Sequence, residues 1–149
     1  MIDLDNQTTL HVDLPALEKI SSSLSTKDVE LVITDDETMR HLNLEHRGKD
    51  STTDVLSFPL ATPFTQQSNA SLPLGLPLGS IVISSSYVED KAIELGHSIQ
   101  DELSLLLIHG LLHLLGFDHE VDDGKMRQRE EELIKTFDLP QSLIIRTGE

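Results

Sequence analysis

HGLLHLLGFDH, residues 109–119, sets three histidines, His109, His113 and His119, into an otherwise apolar run. Residues 101–110 read as helix, so His109 and His113, at i and i+4, lie on one face of it. Gly116 offers the left-handed stop that ends a helix. Beyond that stop the chain is free to turn back, and His119 is expected to reach the same point in space from a different direction. Leucines and Ile108 fill nearly every other position, so the helix has no polar face. A helix that is apolar all round belongs inside a fold. The expected architecture follows: an α/β (α+β) fold, one small domain over residues 1–149, with a mixed sheet and helices packed around a buried central histidine-bearing helix.

A lone histidine on an apolar helix is more often a satisfied core residue than a ligand, but here there are three. Burying imidazoles among leucines without partners costs on the order of 1–3 kcal/mol each. A shared metal removes that cost. Catalytic zinc takes three protein ligands and keeps one open position, so His109, His113 and His119 are the expected ligands of one Zn2+ ion. Iron, nickel and manganese stay open as alternatives, because imidazole suits several metals. The chain has no cysteine, which excludes a Cys-rich structural zinc site. The frame H-x-x-x-H-x-x-G-x-x-H is also that of the metzincin proteases, whose motif carries Glu after the first histidine as general base. Gly110 stands there, so a peptidase built on this pattern lacks its proton acceptor.

Two further segments flank this motif in order, LNLEHRGKDSTTDVLSFP at 42–59 and LGSIVIS at 78–84. Together the three resemble the YbeY family of bacterial metal-dependent endoribonucleases, over residues 42–119, about half the chain. The resemblance implies a single-strand-specific endoribonuclease acting in ribosomal RNA maturation and ribosome quality control, with zinc on the three histidines. It also implies contact with the small ribosomal subunit or a ribosome-associated GTPase, and it places the family's functionally important arginine at Arg47. His46 stands where the family usually has an aromatic residue, Thr52 where it often has proline, and Ser80 where it commonly has aspartate. The last change removes a carboxylate expected near the site.

The chain has 149 residues, enough for one domain with a real core. The absence of cysteine suits a reducing cytoplasm, the expected location. MIDLDNQTTL at the N-terminus has no basic region before an apolar stretch, and His109 and His113 interrupt the longest apolar run. Neither a signal peptide nor a membrane span is expected. A net charge of −15 argues against nucleic-acid binding at large, since phosphate recognition brings a basic face. The few cations are clustered, however: Arg40, Arg47 and Lys49 fall with His41 and His46 in one segment, and Lys125, Arg127 and Arg129 follow the histidines. A divalent ion adds positive charge where a phosphate would bind.

Asp13 before Pro15 reads as a helix start, with Leu14, Leu17, Ile20 and Leu24 at helical spacing. Residues 29–34 read as a strand, and Thr34 with Glu37 as the capping box of a helix ending near Gly48 with Arg47 at its end. Residues 55–58 and 79–84 read as strands separated by a long loop at 61–77. Helices are expected at 86–97 and 122–137.

With the metal bound, Arg47 is suited to bridging two phosphate oxygens and opposing charge that builds in the transition state. Its competing reading is a surface ion pair with Glu45 or Asp50. His109 and Arg47 are the expected catalytic residues. Asp118, Glu120 and His46 are candidates for a general base, with Asp118 favoured as the carboxylate that orients a ligand imidazole. Asp54 is expected to fix a strand or turn, and His41 and His97 to lie on the surface. Two other readings remain: a non-enzymatic ribosome-associated factor with a structural metal, and another metal-dependent hydrolase.

Overall fold

The computed structural model describes residues 1–59, 78–117 and 124–139. Its elements follow the hydrophobic periodicity closely: β1 (Ile2–Asn6), α1 (Leu14–Leu24), β2 (Val29–Thr34), α2 (Asp36–Arg47), β3 (Val55–Pro59), β4 (Gly79–Ser84), α3 (Ser85–Leu95), α4 (Ile99–Leu114) and α5 (Lys125–Phe137). The strands form one mixed sheet in the order β1-β2-β4-β3. β1 pairs parallel with β2 and β2 with β4, while β3 runs antiparallel to β4 on the edge.

The alternation of side chains along each strand divides the molecule into two cores. Val29, Leu31, Ile33, Ile81 and Ile83 face the larger one, which they share with α1, α4 and α5. Val32, Leu56, Phe58 and Val82 face the other way and pack against Met39 and Leu42 of α2. The histidine helix α4 and the arginine-bearing helix α2 therefore lie on opposite faces of the sheet.

β1 is absent from the sequence reading. Its pattern is regular, with Ile2 buried, Leu4 half-buried and Asp3 and Asp5 exposed, but two acidic residues in five mask a strand. The cap of α2 also differs from expectation. Thr34 is buried as the last residue of β2, and Asp35 caps the helix by accepting from the Thr38 amide at 2.8 Å. The long loop expected at 61–77 lies outside the described residues. Among the described residues no helix is long and apolar enough to cross a membrane.

Asp36 joins the second helix to the sheet. Its carboxylate accepts from Ser84 Oγ at 2.6 Å and from Thr52 Oγ1 at 3.4 Å. Hydrogen bonds from Ser84 first, then Ser86, hold its pKa below the usual carboxylate value. A depressed folded-state pKa contributes stability above the unfolded value, near ~3.9 for aspartate, and that contribution is lost as pH falls through the folded pKa. Asp36→Ala is expected to lower the urea midpoint more at about pH 7 than in acid below the folded-state pKa, where the carboxylate is protonated in both states. Equal losses at both pH values would show that the charge has no part in the junction.

Candidate metal centre

α4 is buried without interruption from Glu102 to Leu112, enclosed by β3, β4, α1, α3 and α5. Ser98 caps its start by accepting from the Asp101 amide at 3.0 Å. Gly116 lies just beyond its end with φ +99°, the left-handed stop expected from the sequence. Gly110 has a packing reason. A Cβ there would stand 3.0 Å from two atoms of the Ile81 side chain, so the missing side chain lets the helix approach β4. No room exists for the glutamate that a metzincin carries at this position.

The two described histidines meet through their ε nitrogens. His109 Nε2 and His113 Nε2 are 3.2 Å apart, with the rings edge-on at 4.7 Å between centroids. Each δ nitrogen is already engaged. His109 Nδ1 donates to Glu130 Oε2 at 3.0 Å, and His113 Nδ1 donates to the Phe117 carbonyl at 3.2 Å. Carboxylate and carbonyl can only accept, so both protons sit on Nδ1 and both Nε2 lone pairs face one another. A cation between them would draw on both lone pairs. Tetrahedral zinc, with Zn–N near ~2.05 Å, spans about 3.3 Å between two nitrogens, so the pair fits that donor geometry.

His119 lies outside the described residues, as do Asp118 and Glu120. Among the described residues no group of three or more His, Asp or Glu is placed to hold a metal. The structure therefore places two of the three expected ligands side by side. Glu130 is the residue the sequence reading missed. It is 1% exposed, on α5, and its carboxylate meets the His109 imidazole. Its signal was visible in hindsight: Met126, Glu130 and Leu133 follow i, i+4, i+7 spacing and form the buried face of α5. A carboxylate on such a face needs a partner.

Arg47 ends α2, exposed, one residue before the left-handed cap Gly48. Neither expected ion pair forms: Asp50 pairs with Arg40 at 3.1 Å, and among the described residues Arg47 and Lys49 make no ion pair. His46 packs its ring edge-on against Phe58, 4.9 Å between centroids, which sets the end of α2 beside the edge strand β3. The same strand reaches the other core through Ser57, whose hydroxyl donates to the Gly110 carbonyl at 3.4 Å. β3 thus stands between the histidine helix and the end of α2.

Two expectations need correction. Ser80 points to the α2 face, where it donates to Glu30 Oε1 at 2.8 Å, so its substitution for aspartate leaves no gap beside the histidines. His97 is not a surface histidine. Its side chain is 10% exposed and pairs at 2.7 Å with the fully buried Glu102. Asp54 has the structural place expected of it: its carboxylate accepts from the Val55 amide and its carbonyl from the Ser84 amide.

The family model described as Endoribonuclease YbeY matches residues 4–138, from the first strand to the end of the last described helix. The chain belongs to the YbeY family. Its relatives in the family include an Endoribonuclease YbeY of Sulfurovum, 60% identical over 98% of this chain and 97% of its own. One of Helicobacter pylori (strain J99) is 54% identical over 100% of this chain and 99% of its own. A solution structure of a Thermotoga maritima protein superimposes with a TM-score of 0.59 at 25% identity, covering 92% of this chain and 89% of that one. The YbeY match therefore extends beyond the three motifs to nearly the whole fold.

Proposed function

We propose that this chain is a zinc-dependent endoribonuclease of the cytoplasm, cutting single-stranded RNA in ribosomal RNA maturation and ribosome quality control. The observation that carries the reading is the facing pair of His109 and His113 ε nitrogens, each imidazole held in the metal-binding tautomer by its δ nitrogen. Family membership supports the endoribonuclease activity. His109, His113 and His119 would hold the ion. When bound, it supplies Lewis-acid polarisation of a phosphoryl oxygen and lowers the pKa of a water.

The protein's own residues bind and orient the RNA. Arg47, exposed and without an ion pair among the described residues, offers a planar fork to two phosphate oxygens. Because α2 and α4 lie on opposite faces, a substrate that touches both the arginine and the histidines passes the edge strand β3. A flexible single strand can follow that path, whereas a duplex is stiff over tens of base pairs. With a net charge of −15, RNA binding is confined to this locality, which suits delivery by the small ribosomal subunit or a ribosome-associated GTPase.

The test is cleavage of an end-labelled single-stranded RNA by zinc-loaded protein, beside Arg47→Ala and His113→Ala purified identically. Wild-type cleavage that drops about 100-fold or more in Arg47→Ala with zinc retained is the expected result, the size of loss seen when one transition-state donor is removed. Full activity in Arg47→Ala would remove its catalytic role. Equal or absent cleavage in all three would favour a second reading, a ribosome-associated factor whose acidic surface binds basic ribosomal proteins.

A further inference from the structure

We infer that Glu130 is the positioning residue of the metal centre, and that through it zinc binding and the docking of α5 stabilise one another. The inference rests on the metal reading above and adds a residue and a coupling to it. Glu130 Oε2 accepts from His109 Nδ1 at 3.0 Å, with side-chain exposures of 1% and 11%. Met126, one turn before, and Leu133, one turn after, bury the same face of α5. The cations of α5 point elsewhere: Arg127 pairs with Glu131 and Arg129 with Glu132 at the surface, and Lys125 and Lys135 are exposed.

An apolar residue would pack this position at no desolvation cost, whereas a buried carboxylate is destabilising unless its partners compensate. A carboxylate here does something leucine cannot. It fixes the proton on Nδ1, aims Nε2 at His113, and makes the imidazole a stronger donor to a cation. The contact is also between elements. His109 is on α4 and Glu130 on α5, 21 residues apart in sequence. An ion that immobilises His109 favours the docked position of α5, and by linkage the docked helix raises affinity for the ion to the same degree.

Zinc affinity measured by competition with a chromophoric chelator, on wild type, Glu130→Leu and Glu130→Gln, tests this. Leucine keeps the packing and removes the acceptor, so affinity is expected to fall about 10- to 100-fold. Glutamine keeps an acceptor oxygen for Nδ1–H and is expected to retain most of it. In zinc-free protein, 15N NMR of His109 is expected to show Nδ1 protonated in wild type and Glu130→Gln, and a tautomer mixture in Glu130→Leu. Zinc should slow amide exchange across residues 125–137 in wild type and fail to do so in Glu130→Leu. Wild-type affinity with an unchanged His109 tautomer in Glu130→Leu would overturn the inference while leaving the metal reading intact. Wild-type protein that binds no zinc would overturn both.

Discussion

His109→Ala is expected to abolish zinc binding and to cost about 3 kcal/mol of stability or more, because truncating one member of a buried pair strands the other. Glu130 loses its donor and stays in an apolar interface, a carboxylate with 1% of its side chain exposed. His113→Ala should also abolish zinc binding, yet at a smaller cost. Its δ nitrogen bonds the Phe117 carbonyl, next to the exposed helix end at Leu115 and Gly116, and losing a bond of that kind costs about 1 kcal/mol. The double variant His109→Leu/Glu130→Leu should regain most of the lost stability without regaining zinc, since replacing both members of a buried pair by apolar residues is often neutral. Urea melts of zinc-free proteins, with metal content measured on each, separate the two effects. Equal destabilisation by His109→Ala and His113→Ala would show that the Glu130 carboxylate is not stranded.

The contrast also explains what could be read from the residues alone. His109 and His113 are four positions apart on one helix, so their meeting is a local consequence of helical pitch. Glu130 reaches His109 only once α5 has docked, and no spacing rule carries that contact. The same division holds across the fold. Helices with clear periodicity, such as α1 behind Asp13 and α4 with its run of leucines, were visible in advance. β1 was not, because Asp3 and Asp5 hide its alternation and its pairing with β2 is a tertiary event. Arg47 was correctly placed at a helix end. Its position on the opposite side of the sheet from the histidines depends on strand order, with β3 on the edge beyond β4, which no local pattern specifies. His97 was misread because its partner five residues on, Glu102, is fully buried, which the charge of that residue hides.

The second large effect is expected at Gly79, where the site and the sheet meet. A Cβ added there would stand 2.5 Å from the Phe58 carbonyl oxygen, 2.9 Å from Leu114 Cδ2 and 3.0 Å from Pro59 Cα. Two of these neighbours are backbone of the paired edge strand, so relief requires moving β3 itself. Gly110→Ala is milder despite its burial. Its Cβ meets the Ile81 side chain, which can shift by a few tenths of an ångström, and alanine gains about 1 kcal/mol of helix propensity over glycine. Overpacking costs roughly 1–3 kcal/mol, so Gly110→Ala is expected to lose about 2 kcal/mol at most after that offset, and Gly79→Ala about 3 kcal/mol or more. The functional consequences should diverge as well. Moving β3 displaces Ser57 from the Gly110 carbonyl on one face and Phe58 from His46 on the other, so Gly79→Ala disturbs the histidine helix and the arginine end of α2 together. Urea midpoints and RNA cleavage by the folded fraction measure both. A Gly79→Ala protein as stable as wild type would mean that β3 yields freely, and the edge strand could not then hold Arg47 in a fixed relation to the histidines.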